Sequence, residues 1–157
     1  MSFLSQVNTP WKMQLYMFLK LPAAWFMGIR VKQCTLEQCE VVLPFSWRAQ
    51  NPFKSIYFAA ECAAAEMSTG LLAMAHLQGS GSVSMLVVNI EADFFKKADQ
   101  KLTFICSDGL AMKNTIRKAL QTGEAQTIRA VSTGLLPDAQ IAAKVNVTWS
   151  FKVKKQP

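Results

Sequence analysis

The chain has 157 residues, of which 51% are hydrophobic and 17% charged, and a formal net charge of +7. That length suits one domain with a real core, and the apolar excess calls for a large core or for apolar surface covered by a partner. The positive charge favours anionic partners, but the basic residues are scattered apart from Lys96-Lys97 and Lys152-Val153-Lys154-Lys155, and no sustained basic and aromatic interleaving marks a nucleic-acid groove.

The opening Met1-Ser2-Phe3-Leu4 lacks the basic start of a signal peptide. Thr9-Pro10 predicts a helix over residues 9–20, with Thr9 as cap and Pro10 at the first helical position. Trp11, Leu15 and Phe18 recur at i, i+4 and i+7 as one apolar stripe, and Pro22 ends the helix near Lys20. The stripe reads as a helix packed on the domain's flank or as a weak peripheral membrane contact. Lys12, Gln14, Lys20 and Pro22 interrupt the apolar run, which excludes a membrane span. A strand is expected over 39–48, with Val41, Leu43, Phe45 and Trp47 on one face. Gln50-Asn51-Pro52 signals a turn. One long helix then runs over 55–76, alanine-rich in its first half, with Ser55 as its cap.

Four strands and a further helix follow. In the strand over 82–95, Leu86, Val88, Ile90, Ala92 and Phe94 share one side and Asn89, Glu91 and Asp93 the other. A short strand covers 101–106, and a helix over 108–121 closes at Gly123. Strands over 126–135 and 140–154 form a hairpin about Pro137-Asp138. The last alternates well, with Ile141, Ala143, Val145, Val147, Trp149, Phe151 and Val153 inward and Lys144, Asn146, Thr148, Ser150 and Lys152 outward. Cys34, Cys39, Cys62 and Cys106 match no zinc spacing and read as free thiols of a reducing cytoplasm. There is no repeat, low-complexity tract or linker, so residues 1–157 form a single domain. One long apolar helix beside a mostly antiparallel sheet is an α+β layout, and that helix is buried all round only if the sheet curls about it.

The segment Asn51-Pro52-Phe53-Lys54-Ser55-Ile56-Tyr57-Phe58-Ala59-Ala60-Glu61-Cys62-Ala63-Ala64-Ala65-Glu66 resembles the start of the central helix in hotdog-fold thioesterases. The resemblance is greatest to a branch related to the phenylacetic-acid-pathway acyl-coenzyme A thioesterases. Those relatives begin the helix with His-Gly-Gly or His-Ala-Gly and carry an acidic residue seven positions after the last glycine. Here Tyr57-Phe58-Ala59 occupies the element and Glu66 follows Ala59 by seven. The run Ile90-Glu91-Ala92-Asp93-Phe94-Phe95-Lys96-Lys97-Ala98 is similar to the family's strand after the helix. The likeness spans residues 23–154. It implies a curved, mostly antiparallel sheet wrapped around a long central helix, with an N-terminal helix and an additional helix between strands. It also implies a homodimer, or a tetramer of paired dimers, with each site built between two subunits, and an acyl thioester as the small-molecule substrate. Coenzyme A would enter as part of that substrate rather than as a cofactor. The chain departs from the family where Tyr57 replaces histidine and Phe58-Ala59 replaces the glycines, which reshapes the approach of an acyl thioester.

Thioester hydrolysis needs a polarised carbonyl and an activated water. The free N–H groups at a helix start stabilise an oxyanion, which makes Tyr57, Phe58 and Ala59 candidates for substrate binding. Seven residues turn a helix by about 700°, so Glu66 points within about 20° of Ala59, two turns further on. Cys62, Ala63 and Gly70 share that face, and a carboxylate among small or apolar groups acquires a raised pKa suited to a general base. Glu66 is therefore the candidate catalytic carboxylate; the alternative is a buried carboxylate that only binds a lysine or backbone N–H groups. Glu61 points about 140° away and does not pair with it. The resemblance gives Asn51 a part in placing substrate, whereas its plain reading is a turn residue. Lys96, Lys97 and Lys101 could meet coenzyme A phosphates. His76, the only histidine, reads as a C-terminal cap, which leaves no histidine for a triad, and Gly-x-Ser-x-Gly is absent. Gly79-Ser80-Gly81 leads into a strand, not a phosphate-cradling loop. No metal is expected. The reading is an acyl-coenzyme A thioesterase, with a non-catalytic acyl- or lipid-binding module as the alternative.

Overall fold

A computed structural model describes residues 2–81 and 83–154. Three short helices open the chain: α1 (Phe3–Val7), α2 (Pro10–Lys20) and α3 (Pro22–Phe26). Then come β1 (Arg30–Cys34), β2 (Cys39–Leu43), the long helix α4 (Phe58–Leu77), β3 (Val83–Phe94), β4 (Leu102–Cys106), α5 (Gly109–Thr122), β5 (Gln126–Leu135) and β6 (Ile141–Val153). Among the described residues the strands form one antiparallel sheet in the order β1-β2-β4-β5-β6-β3. It curls around α4, which packs on β1, β2, β4, β5 and β6. This is the hotdog arrangement expected from the sequence. Among the described residues no helix is long and apolar enough to cross a membrane.

The concave face carries Cys39, Val41 and Leu43 of β2, Leu102, Phe104 and Cys106 of β4, and Val145, Val147, Trp149 and Phe151 of β6, all buried. Alternation on β6 is as expected in its middle, but Ile141 is exposed where the strand begins. Small residues let the layers close. Phe104 lies across Gly134, its cross-strand neighbour, where a Cβ would come within 2.7 Å of the ring. Gly70 likewise leaves room for Trp149, whose ring would lie 3.1 Å from a Cβ there. Two buried side-chain hydrogen bonds pin α4 to the sheet: Trp149 Nε1 donates to Thr69 Oγ1 (2.9 Å), and the Ser68 and Ser132 hydroxyls bond at 2.7 Å.

Several local expectations are corrected. β2 stops at Leu43, because Pro44 has no N–H to extend the ladder. Phe45 and Trp47 therefore lie exposed beyond it, Trp47 edge-to-face with Phe26. α4 begins at Phe58 with Tyr57 in the cap position; Ser55 instead donates its hydroxyl to Asn51 Oδ1. On α2 the buried side is Met13 and Met17, while Trp11, Leu15 and Phe18 are exposed. Thr9 sits at the cap of α2 but makes no capping bond, its hydroxyl donating to Ser5 O. On β3, Ile90, Ala92 and Phe94 share one side and Asn89, Glu91 and Asp93 the other, as expected, but a bulge between Val87 and Asn89 puts Leu86 out of phase with them; Leu86, Val88, Ile90 and Phe94 are all exposed. His76 does not cap α4; its Nε2 bonds to Leu36 O at 2.8 Å, and Gln78 and Ser80 bond the last turn's carbonyls.

α1, α3 and β1 were not expected. β1 is an edge strand whose outer side is covered by Asn8, which donates to Cys34 O and accepts from Cys34 N, a common way of blunting an edge. All four cysteines are free and lie in regular elements, and Cys39 pairs across the sheet with both Cys34 and Cys106. The turn after β1 anchors two helices, since Leu36 O holds His76 while Leu36 and Glu37 pack on the first turn of α5. A Cβ at Gly109 would collide with Leu36 O and lie 2.7 Å from Glu37 O, both backbone atoms. Gly109→Ala should therefore destabilise the fold by about 3 kcal/mol, the upper end of overpacking costs. A thermal melt followed by circular dichroism should show a fall of about 6 °C or more.

Candidate active site

α4 starts where a turn delivers it in one orientation. Asn51 builds that turn: Oδ1 accepts from Phe53 N, Ser55 N and Ser55 Oγ, and Nδ2 donates to Ile56 O. Both ends of its amide are thus engaged in shaping the loop. Ile56 N donates to Ala98 O and Tyr57 N to Ala49 O, which fixes the chain just before the helix. The helical ladder begins with Ala60 N and Glu61 N, both donating to Tyr57 O, so the N–H groups of Phe58 and Ala59 precede it. Tyr57 and Phe58 are exposed there, their rings 4.8 Å apart, and Phe58 meets Phe94 at 6.3 Å.

Two clefts flank α4. The first, about 320 Å3, brings together Asn51, Phe58, Lys96 and Lys97, with Glu61 in its lining. The second, about 340 Å3, holds Glu66 between Ala63, Met67 and the Lys20–Ala24 segment. The expected site residues are therefore divided. Asn51, Phe58, Lys96 and Lys97 meet, whereas Glu66 faces the other cleft about 10 Å further along the helix.

Glu66 is partly buried, its Oε1 3.5 Å from where a Cβ at Gly70 would stand. Burial raises its carboxyl above the ordinary range. Lys20, which lines the same cleft, was not singled out from the sequence. Glu61 is the larger omission: it is 5% exposed, and its Oε2 has no hydrogen-bond partner among the described residues. Burial pushes its carboxyl from 4.5 up to about 7. Its signal in the sequence is a carboxylate in the first turn of an otherwise apolar, alanine-rich helix. Among the described residues no cluster of three His, Cys, Asp or Glu is placed to hold a metal ion.

Residues 9–149 match a domain of unknown function, DUF4442. The chain belongs to the DUF4442 family. No curated protein matches it. Among solved structures, it is similar to a Pseudomonas aeruginosa protein of unknown function described as a probable thioesterase, with a TM-score of 0.78, 14% identity, and 92% of this chain and 97% of that one covered. A protein of unknown function from Chlorobaculum tepidum gives 0.76 at 14% identity, covering 94% and 99%. A thioesterase of Haemophilus influenzae gives 0.67 at 15% identity, covering 90% and 91%. At such identities the likeness is one of fold, and the fold this DUF4442 chain shares with them is the hotdog fold.

The two carboxyls have a thermodynamic signature. A carboxyl raised in the folded state keeps a proton that the unfolded chain has released, so stability falls as pH rises from the unfolded pKa to the folded one. For Glu61 that window runs from 4.5 to about 7. Urea unfolding should show less stability at pH 8 than at pH 5, and Glu61→Gln should remove about 2 kcal/mol of that difference.

Proposed function

We propose that this DUF4442 protein hydrolyses acyl-coenzyme A thioesters, with Glu66 as general base and the helix start of a second copy as oxyanion site. The observation that carries this reading is Glu66 itself, a carboxyl on the central helix of a hotdog fold, raised by burial and lining a cleft open to ligand. Glu66 takes a proton from water as the water oxygen attacks the thioester carbonyl carbon. The N–H groups of Phe58 and Ala59 receive the developing oxyanion. Collapse breaks the carbon–sulfur bond, and the departing sulfur takes up a proton, leaving an acid and a thiol.

Within one chain the base and the oxyanion donors lie about 10 Å apart along α4, too far for one carbonyl to meet both, so the reading requires a homodimer. The exposed apolar residues of edge strand β3 support it, with Leu86 65% and Val88 51% exposed, since such an edge invites pairing. Lys96 and Lys97, beside the helix start, suit the phosphates of coenzyme A. The cytoplasm suits four free thiols.

One observation favours the second reading, a non-catalytic acyl-binding module. An apolar cavity of about 470 Å3 lies between α1, α2 and α4, walled by Phe3, Val7, Met13, Leu71 and Met74, and neither Glu61 nor Glu66 lines it.

Release of free thiol from a panel of short, long and aromatic acyl-coenzyme A esters separates the two. Turnover that falls about 100-fold or more in Glu66→Gln, with ligand binding kept, is expected of the enzyme. No turnover by either protein leaves the binding module. The dimer has its own check: Ile90→Lys should place like charges at the β3 edge and shift the protein to a monomer in analytical ultracentrifugation, with loss of turnover. A parent protein that sediments as a monomer sinks the two-chain site.

A further inference from the structure

The cleft at the start of α4 contains a carboxyl that the proposed hydrolysis does not use. Glu61 belongs to the buried set, its Oε2 is without a partner among the described residues, and it lines the cleft beside Asn51, Lys96 and Lys97. An orphaned buried carboxyl destabilises a fold, and its neighbours do not relieve it. The Asn51 amide is occupied within its own loop. Lys96 donates to Gln140 Oε1 and is exposed, as is Lys97. Phe58 and Phe94 stand edge-to-face at 6.3 Å in the lining of the same cleft, so a ligand group that enters meets an apolar wall. The site thus presents a buried acceptor, aromatic walls and a cationic rim.

We propose that this cleft is a recognition site in which Glu61 accepts a hydrogen bond from an O–H or N–H group of the ligand, while Lys96 and Lys97 hold the ligand's anionic end. The inference rests on the reading of the protein as one that binds acyl-coenzyme A. It adds a specificity-determining carboxyl to that reading. Two parts of such a ligand can supply the donor, an amide N–H of the pantetheine arm or a hydroxyl on the acyl chain. A site built around a buried acceptor discriminates strongly against ligands that lack the matching donor, because the acceptor then stays unpaired.

The test is isothermal titration calorimetry with coenzyme A and with two thioether analogues that cannot be hydrolysed, one with a plain chain and one with a hydroxylated chain. The parent is compared with Glu61→Leu, and with Glu61→Met should the leucine variant fold poorly. The parent should bind at least one of the three, and the variant should bind it about tenfold or more weakly while melting a few degrees higher, since the orphaned carboxyl is gone. Weakening with all three ligands assigns the donor to the pantetheine arm; weakening with the hydroxylated analogue alone assigns it to the acyl chain. Equal affinities for parent and variant overturn the proposal whatever the melting temperature does, as does a parent that binds none of the three. Binding that depends on Glu61 in a protein without turnover would remove the hydrolase reading and leave this one standing.

Discussion

A helix that is apolar on nearly every side has no polar face to tell it which way to turn. α4 is such a helix, buried from Ala60 to Ala75 along most of its surface, and hydrophobic burial is indifferent to its rotation. Two hydrogen bonds supply the missing phase, one from the indole of Trp149 to Thr69 and one between Ser68 and Ser132. Each joins adjacent positions of the helix to a different strand, β6 or β5. A rotation by one residue, about 100°, would break both in a setting where an unpaired polar group costs about 1–3 kcal/mol.

The rest of the site inherits that phase. Glu61 and Glu66, five positions apart, emerge on opposite flanks of α4, one beside the loop after β3 and the other beside the α2–α3 segment. Had the helix been free to turn, either carboxyl could have met the apolar concave face of the sheet. The turn built by Asn51 acts at the other end of the chain of causes: it sets where the helix starts, and so which N–H groups remain outside the ladder.

The long elements were legible in the sequence because their patterns are long. Thirteen residues of β6 and twenty of α4 give periodicity or continuous apolarity that short-range noise cannot hide. β1 was not legible, since the five residues of Arg30–Cys34 show a polar outer row and owe their pairing to β2 and to Asn8. α2 was found, but its buried side was misread, since methionines fill the gap next to the core while the aromatics point out. For the site, spacing along the helix correctly gave the divergence of Glu61 and Glu66. It could not show that Glu61 points into a second cleft, because one wall of that cleft comes from residues 94–98, more than thirty positions later in the chain. Nor could it show that Asn51 spends its whole amide on its own loop.

Trp149 links these regions in one further respect. Trp11 and Trp47 are exposed, and Trp25 is half-buried against Phe18, whereas Trp149 is buried, hydrogen-bonded to Thr69 and packed over Gly70, which also neighbours the carboxyl of Glu66. The indole therefore sits where the seating of the central helix is fixed, with only Gly70 between it and the Glu66 carboxyl. The fold carries its own optical probe at the place where its helix, sheet and ionisable group meet.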